Sequence, residues 1–423
     1  MVYSYISLGV YSALWAFALV HYLKQTHYLG AGVTILALYF VISICSIFAY
    51  SALYTDLELS LFPFLYLFGC ILIASQPVLH YNEGSVKEID HPRAIFVNLF
   101  VIIYVFCALT QIPGVMSRLS EGITQIITDS TAGEELYRDA KFANQGVKGG
   151  ASNMLMAFFN YFADVSFIVF FYYWIRFPKR IFVLLIFGGL IIFQVLNAVS
   201  NGLRSGTVLK IMTLFIAFVT MRRFMSRNQK RIVYIIGGAF VSFVVGVVLI
   251  VTYSRFVEVY NQEMGSSLVD YIGQCNINFN EYVLDNKVIR NGDRTANLFK
   301  RMIGFDIPSD YLTLRSKYKQ MKIGDESFTT FVGDIVLDYG PLLTILLIVI
   351  FSSCFCSITK LKNNRLSMHQ LIALYFTMCV LVQGSFYLFA YSFQDNYKIL
   401  AFMLLYFYFY VEKYSRKGKR IAT

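Results

Sequence analysis

The sequence predicts an all-α polytopic membrane protein of about eleven transmembrane helices with a long extracytoplasmic loop subdomain. Composition is the first reason. Of 423 residues, 57% are hydrophobic, 17% aromatic and only 14% charged, and the mean hydropathy is +0.59; this balance excludes an ordinary soluble core. Patterning is the second, because apolar runs of membrane length recur along the whole chain, and a helix needs ~20 such residues to cross ~30 Å of hydrocarbon. The third is that Lys and Arg cluster in alternate loops.

The runs lie at 2–20, 31–52, 57–79, 94–112, 151–175, 181–200, 205–221, 232–253, 329–359, 367–390 and 397–411. The ninth is too long for one straight crossing, so its first third reads as a short helix in or near the interface. Met1-Val2-Tyr3-Ser4 carries no cation and no small-residue cleavage site follows, so the first run is expected to stay. The chain then divides into N-terminal helices over 1–112, an extracytoplasmic amphipathic segment over 113–150 and further helices over 151–253. A large extracytoplasmic loop over 254–326 and C-terminal helices with a basic tail over 327–423 complete it.

Cations near helix ends resist translocation, so their count sets the orientation. One set of loops, with the tail, holds nineteen, including Lys24, Lys87, Arg93, Arg176, Lys179, Arg180, the run from Arg222 to Arg231, Lys360, Lys362 and Arg365. The short loops of the opposite face hold six, among them Arg118, Arg204 and Lys398. The N-terminus is therefore expected outside and the C-terminus in the cytoplasm. The net charge of +11 follows from this asymmetry and from anionic lipid headgroups, and nucleic acid is not needed to explain it.

Cysteine and histidine mainly exclude chemistry. Only Cys275 among seven cysteines maps outside the spans, so no disulfide framework is implied. His21, His27, His80, His91 and His369 all map to the cytoplasmic face, so chemistry on the outer face would have no histidine base. No GxSxG, HExxH or P-loop pattern occurs, and neither a metal nor a cofactor is called for.

Polar residues within or at the mouth of the bundle are costly there and point to function. In Gln194 to Gly206 a helix ends, turns and restarts. Gly202 and Gly206 allow close backbone approach, the new helix start offers free amides, and Arg204 adds a fork suited to phosphate, with Asn201 and Ser205 beside it. A snorkelling arginine is the plainer reading. Lys210, two turns on, has no carboxylate within four residues, and Asp164 in another span is its expected partner; the pair reads equally as structural or substrate-facing. Arg255 at the outer end of its span is a second diphosphate clamp or an ordinary flanking arginine.

The loop 254–326 holds ten Lys/Arg and ten Asp/Glu, with its basic stretches at Lys287 to Arg301, which includes Arg290 and Arg294, and at Arg315 to Lys322. Interleaved aromatics such as Tyr311 and Tyr318 suit sugar rings, or simply a small folded subdomain. Thr131 and Glu134 in the earlier outer segment have capping-box spacing. Asp334 and Asp338 are i and i+4 on one helix face, followed by Tyr339. One could accept a proton from a sugar hydroxyl, or both could pair with outer arginines. Gln394-Asp395-Asn396-Tyr397 reads as a tight outer turn or a solvated connector.

The whole-chain plan, Asn-Gly-Leu-Arg-Ser-Gly at 201–206, Phe-Thr-Thr-Phe at 328–331 and Leu-Asp-Tyr-Gly at 337–340 resemble Wzy-type O-antigen or capsule repeat-unit polymerases. The resemblance covers most of the length by architecture but only these short motifs by residue, and Ser327 stands where family members often carry Asn. It implies a metal-independent glycosyltransferase of the bacterial inner membrane, joining undecaprenyl-diphosphate-linked oligosaccharides, with a flippase and a chain-length regulator as partners. Arg204 and Arg255 would hold the departing diphosphate, aided by Asn201, Ser205, Lys210, Arg290, Arg294 and Tyr339, while Asp338 or Asp334 would take the acceptor proton. An O-antigen ligase, a lipid-linked sugar transporter and a membrane acyltransferase are the rival classes.

Overall fold

The computed structural model of the protein describes residues 1–81, 83–113, 116, 151–200, 204–252, 264–308, 311–324, 327–361 and 364–421. The Thr131 and Glu134 pair, Asn201 and Arg255 lie outside the described residues. The chain opens with α1 (Val2–Thr26), α2 (Ala31–Leu53), α3 (Leu61–Leu79), the short strand β1 (Glu88–Asp90) and α4 (Ala94–Leu109). Next come α5 (Ala151–Tyr161), α6 (Ala163–Arg176), α7 (Ile181–Ser200), α8 (Arg204–Met221), α9 (Arg227–Ile232) and α10 (Gly238–Thr252). α11 (Met264–Asn278), α12 (Asn297–Met302) and α13 (Tyr311–Lys317) follow. The last elements are α14 (Thr330–Tyr339), α15 (Pro341–Thr359), strand β2 (Arg365–Ser367), α16 (Met368–Gln383) and α17 (Asn396–Ile421).

The protein is a helical membrane protein. Among the described residues six helices are long and apolar enough to cross a bilayer, or seven if α5 and α6 count as one bent span, where the sequence predicts about eleven. For two of the runs the reason is length. α4 and α16 have 16 residues each, and at 1.5 Å per residue such a helix rises only ~24 Å. The ninth run breaks at Gly340, whose φ of 78° is open to glycine. Pro341 then starts a new helix at its first position, where its missing N–H costs nothing. The short helix expected in the first third of that run is α14.

Two compact units divide the chain: Met1–Asp90 with Gly265–Phe407, and His91–Met264 with Tyr408–Thr423. In the first, hydrogen bonds sort the loops into two ends. At one end Ala31 N–H donates to Glu83 Oε1 (2.8 Å), Tyr22 Oη to Leu79 O (3.3 Å), and β1 pairs in parallel with β2, Ile89 opposite Leu366. At the other, Tyr50 Oη donates to Leu57 O (2.9 Å), Ser60 N–H to Asn280 Oδ1 (3.0 Å) and Arg290 N–H to Leu337 O (3.0 Å). The loops bearing Lys87 and Arg365 thus share an end, and the 284–296 segment sits at the other with the N-terminus. α16 runs through the middle with every residue but Phe376 buried, as a helix apolar on all sides requires.

Residues 264–283 belong to the segment that the sequence reads as a loop, yet they are a helix and a π turn, buried in this unit over 275–280. Gly273 makes this possible, because a Cβ there would lie 2.5 Å from Cys45 O in α2. Ser46 Oγ donates to Gly273 O (2.8 Å), Asn276 Nδ2 to Ser46 Oγ (2.9 Å), and Tyr11 Oη to Asn276 Oδ1 (3.2 Å). Cys275 is buried in this contact rather than lying in an outer loop.

In the second unit α8 packs on α6 and α7, and α4 on α5 and α7. α5 and α6 bend by 63° across Phe162. Immediately after the bend Asp164, buried, accepts from Lys210 Nζ at 2.8 Å, the pairing the sequence leads one to expect. Lys210→Met is expected to destabilise this unit by about 3–5 kcal/mol by removing the cation that faces the buried Asp164 carboxylate. Asp164→Asn combined with Lys210→Met should recover most of that loss, read as thermal unfolding in detergent.

Candidate functional site

Two segments with charges four residues apart meet in the first unit. Arg290 and Arg294 lie on the irregular stretch before α12, and Asp334 and Asp338 on one face of α14. Arg290 Nε pairs with Asp338 Oδ1 at 2.6 Å, and Arg294 Nη1 with Asp334 Oδ1 at 3.1 Å. All four side chains are buried. Two cations and two anions sum to zero, which is what permits charge at such depth.

The remaining carboxylate oxygens are also engaged. Asp338 Oδ2 accepts from Thr295 N–H (2.7 Å) and Thr295 Oγ1 (2.6 Å), while Asp334 Oδ2 accepts from Leu388 N–H (2.5 Å). Of the two expectations for these acids, pairing with arginines is the arrangement present. Neither carboxylate reaches the surface, so neither can take a proton from a substrate hydroxyl unless the node opens. Tyr339 is half-buried beside it, its hydroxyl 3.5 Å from Thr295 Oγ1. A Cβ at Gly292 would run into that hydroxyl.

Unusual backbone surrounds the node. Asn291, Gly292, Thr330, Gly340 and Phe393 all have positive φ, and Thr330 at 67° is a β-branched residue in a region such residues avoid. The loop from Gly384 to Asn396 is drawn in as well: Thr330 N–H donates to Phe386 O (2.8 Å), and Phe331 N–H to Gly384 O (2.7 Å). Asn396, read from sequence as part of a solvated turn, is fully buried instead. Its Nδ2 donates to Thr295 O (2.8 Å) and to Tyr391 O, and its Oδ1 accepts from Leu298 N–H (3.0 Å). Sequence reasoning missed Thr295 and Asn396, since a lone polar residue in a short turn carries no signal of its partner.

A second latch lies beside it. Asp293 accepts from Lys300 Nζ (2.5 Å), Lys317 Nζ (2.8 Å) and Tyr318 Oη (2.6 Å). Burial pushes the Asp293 carboxyl up, but the three donors outweigh it and hold it below the usual carboxylate range. Its hydrogen bond to Asp293 holds the Lys317 ammonium above its usual value. Hence Asp293 contributes stability that is complete above the unfolded carboxylate value of ~3.9 and lost as pH falls through its lower folded value. The Lys317 contribution is complete below the ordinary lysine value and fades only as pH rises past it. Hydrogen exchange of 290–318 should therefore stay slow at neutral pH and accelerate in the acid limb, and Asp293→Asn should remove that acid dependence.

The other candidates fall in the second unit or outside the described residues. The backbone of Arg204 and Ser205 forms the first turn of α8, as the helix restart predicts. Lys210 pairs with Asp164 as given above. Arg315, Ser316, Tyr318, Lys319, Met321, Ile323 and Gly324 line an open depression on the loop subdomain. No protein-family model matches the chain, and neither a curated protein nor a solved structure matches it.

Proposed function

We propose that this chain is a membrane glycosyl polymerase that joins polyprenyl-diphosphate-linked oligosaccharide repeat units. One observation carries the reading. Leu-Asp-Tyr-Gly, one of the motifs behind the resemblance, is bonded to the basic stretch of the long loop through Arg290–Asp338, and Asp334, between it and Phe-Thr-Thr-Phe, is bonded to the same stretch through Arg294. The four charges cancel, and the pairs tie the loop to the head of α15, a helix long and apolar enough to cross the bilayer.

In this scheme the acceptor hydroxyl attacks the anomeric carbon, the bond to the diphosphate oxygen breaks, and negative charge gathers on the leaving lipid diphosphate. Fixed cations stabilise that charge without a metal. Arg204, at the start of α8, and Arg255 are the proposed clamps, and Asn201, Ser205 and Lys210 are the further proposed substrate contacts. Asp334 and Asp338 act as positioning residues that neutralise and fix Arg290 and Arg294. The hydroxyl proton passes to an oxygen of the departing diphosphate.

A transporter of the same lipids is the second reading, favoured by the 63° break between α5 and α6 next to the Asp164–Lys210 pair. Deleting the gene separates the classes. A polymerase is expected to leave single repeat units on lipid at the outer face. Long lipid-linked polymer would indicate a ligase, and units trapped on the cytoplasmic leaflet a transporter.

A further inference from the structure

The chain Lys300-Arg301-Met302-Ile303-Gly304-Phe305 ends α12 and presents three large apolar side chains outward: Met302 is 66% exposed, Ile303 74% and Phe305 56%. This turn is rigid. Gly304, at φ 94°, follows the helix end. Gly304 N–H donates to Arg301 O (3.1 Å) and Phe305 N–H to Lys300 O (3.0 Å), the paired bonds that close a helix on a left-handed glycine. Lys300 Nζ lies 5.2 Å from the centre of the Phe305 ring and is itself held by Asp293 and by Asn291 O. Behind the turn Asn297 Nδ2 donates to Pro308 O (3.0 Å), and Ile307, Leu314 and Phe393 form a small core with Tyr318. The fold therefore spends several bonds to keep apolar groups outside, where solvent would reject them.

Two further observations say what covers them. The turn belongs to a subdomain bolted to helix ends at one end of the first unit. Leu298 N–H is bonded to the first residue of α17, and Thr295 to Asp338, three residues before Pro341 begins α15. The surface of α15 turns apolar at once, Leu342 being 83% exposed, as a helix entering hydrocarbon requires. Among the described residues, the exposed charge of the same subdomain over 301–324 is mostly basic: Arg301, Arg315, Lys317, Lys319 and Lys322, against Asp306. Apolar tips flanked by cations fit the boundary between anionic headgroups and acyl chains.

We infer that Met302, Ile303 and Phe305 form a membrane wedge that inserts into an anionic leaflet and pins the loop subdomain to the bilayer surface. The inference does not depend on the proposed polymerase activity. The test uses the full chain in nanodiscs of phosphatidylcholine and phosphatidylglycerol with Trp174→Phe, which leaves Trp15, a buried residue, as background. Ile303→Trp is added as reporter, and Phe305→Trp as a second one that keeps an aromatic ring on Lys300. Phospholipids brominated on the upper acyl chain are expected to quench the added emission about twofold or more, as for a side chain ~5–10 Å into the interface. Aqueous acrylamide should quench it little. Strong acrylamide quenching without bromolipid quenching would overturn the wedge, and so would protection from both quenchers, which would mean a protein partner or second copy covers the turn.

Discussion

Arg290→Met is expected to destabilise the loop subdomain by about 3–5 kcal/mol, because it leaves the buried Asp338 carboxylate without its cation. The two hydrogen bonds from Thr295 to Asp338 Oδ2 would soften that loss without replacing a cation. Asp338→Leu should cost a similar amount by removing the anion that faces the buried Arg290 Nε. The double variant, Arg290→Met with Asp338→Leu, should lose far less than the two singles added together, since removing both charges removes the desolvation penalty as well. Hydrogen exchange over 288–318 and 330–340 reads each leg of the cycle. Additive losses would mean that the pair is not coupled and that the node does not hold the loop.

Arg204→Ala is expected to abolish long-chain polymer in cells while the protein level stays normal. The argument is electrostatic. Loss of a single fixed donor to developing transition-state charge costs about 10²–10³ in rate, and a process that repeats the step many times per chain amplifies any such loss into short products. The residue sits in the first helical turn of α8, where backbone amides have no intrahelical partner and favour an anion. Arg204→Lys should restore part of the activity as a point charge without the bidentate fork. Full-length polymer from Arg204→Ala would remove this residue from the mechanism.

Much of the fold was legible from hydropathy alone, because apolar runs leave a chain few choices in a bilayer. α1, α2, α3, α7 and α15 appear close to their predicted bounds. The break at Gly340 was readable in excess length, and the Asp164–Lys210 pair in the cost of a lysine that lacked a local partner. What sequence did not disclose was depth. α11 carries Asp270, Gln274, Asn276 and Asn278, so it reads as a solvated loop. Yet Tyr54 Oη donates to Asp270 (2.6 Å), Asn278 Nδ2 to Phe328 O (3.1 Å), and Gly273 lets α2 come close. Asp270, Asn276 and Asn278 each have a partner 50 or more positions away, which no local pattern records, while Gln274 bonds within the helix.

The same holds for the Arg and Asp node. Arg290 and Arg294 are spaced by four, as are Asp334 and Asp338, and opposite charges at matched spacing were the one available clue. From sequence, Asp334 and Asp338 could meet a substrate hydroxyl or pair with outer arginines, and the second arrangement is the one present. Burial makes them a brace, and it shifts attention to the exposed cations around the wedge and to the start of α8.

The most direct measurement is incubation of the purified protein in nanodiscs with a polyprenyl-diphosphate-linked oligosaccharide as both donor and acceptor, followed by gel or mass analysis of the glycan. A ladder of multimers spaced by one repeat unit, lost in Arg204→Ala, is the expected result. Glycan that remains a single unit, merely redistributed between leaflets, would contradict the account.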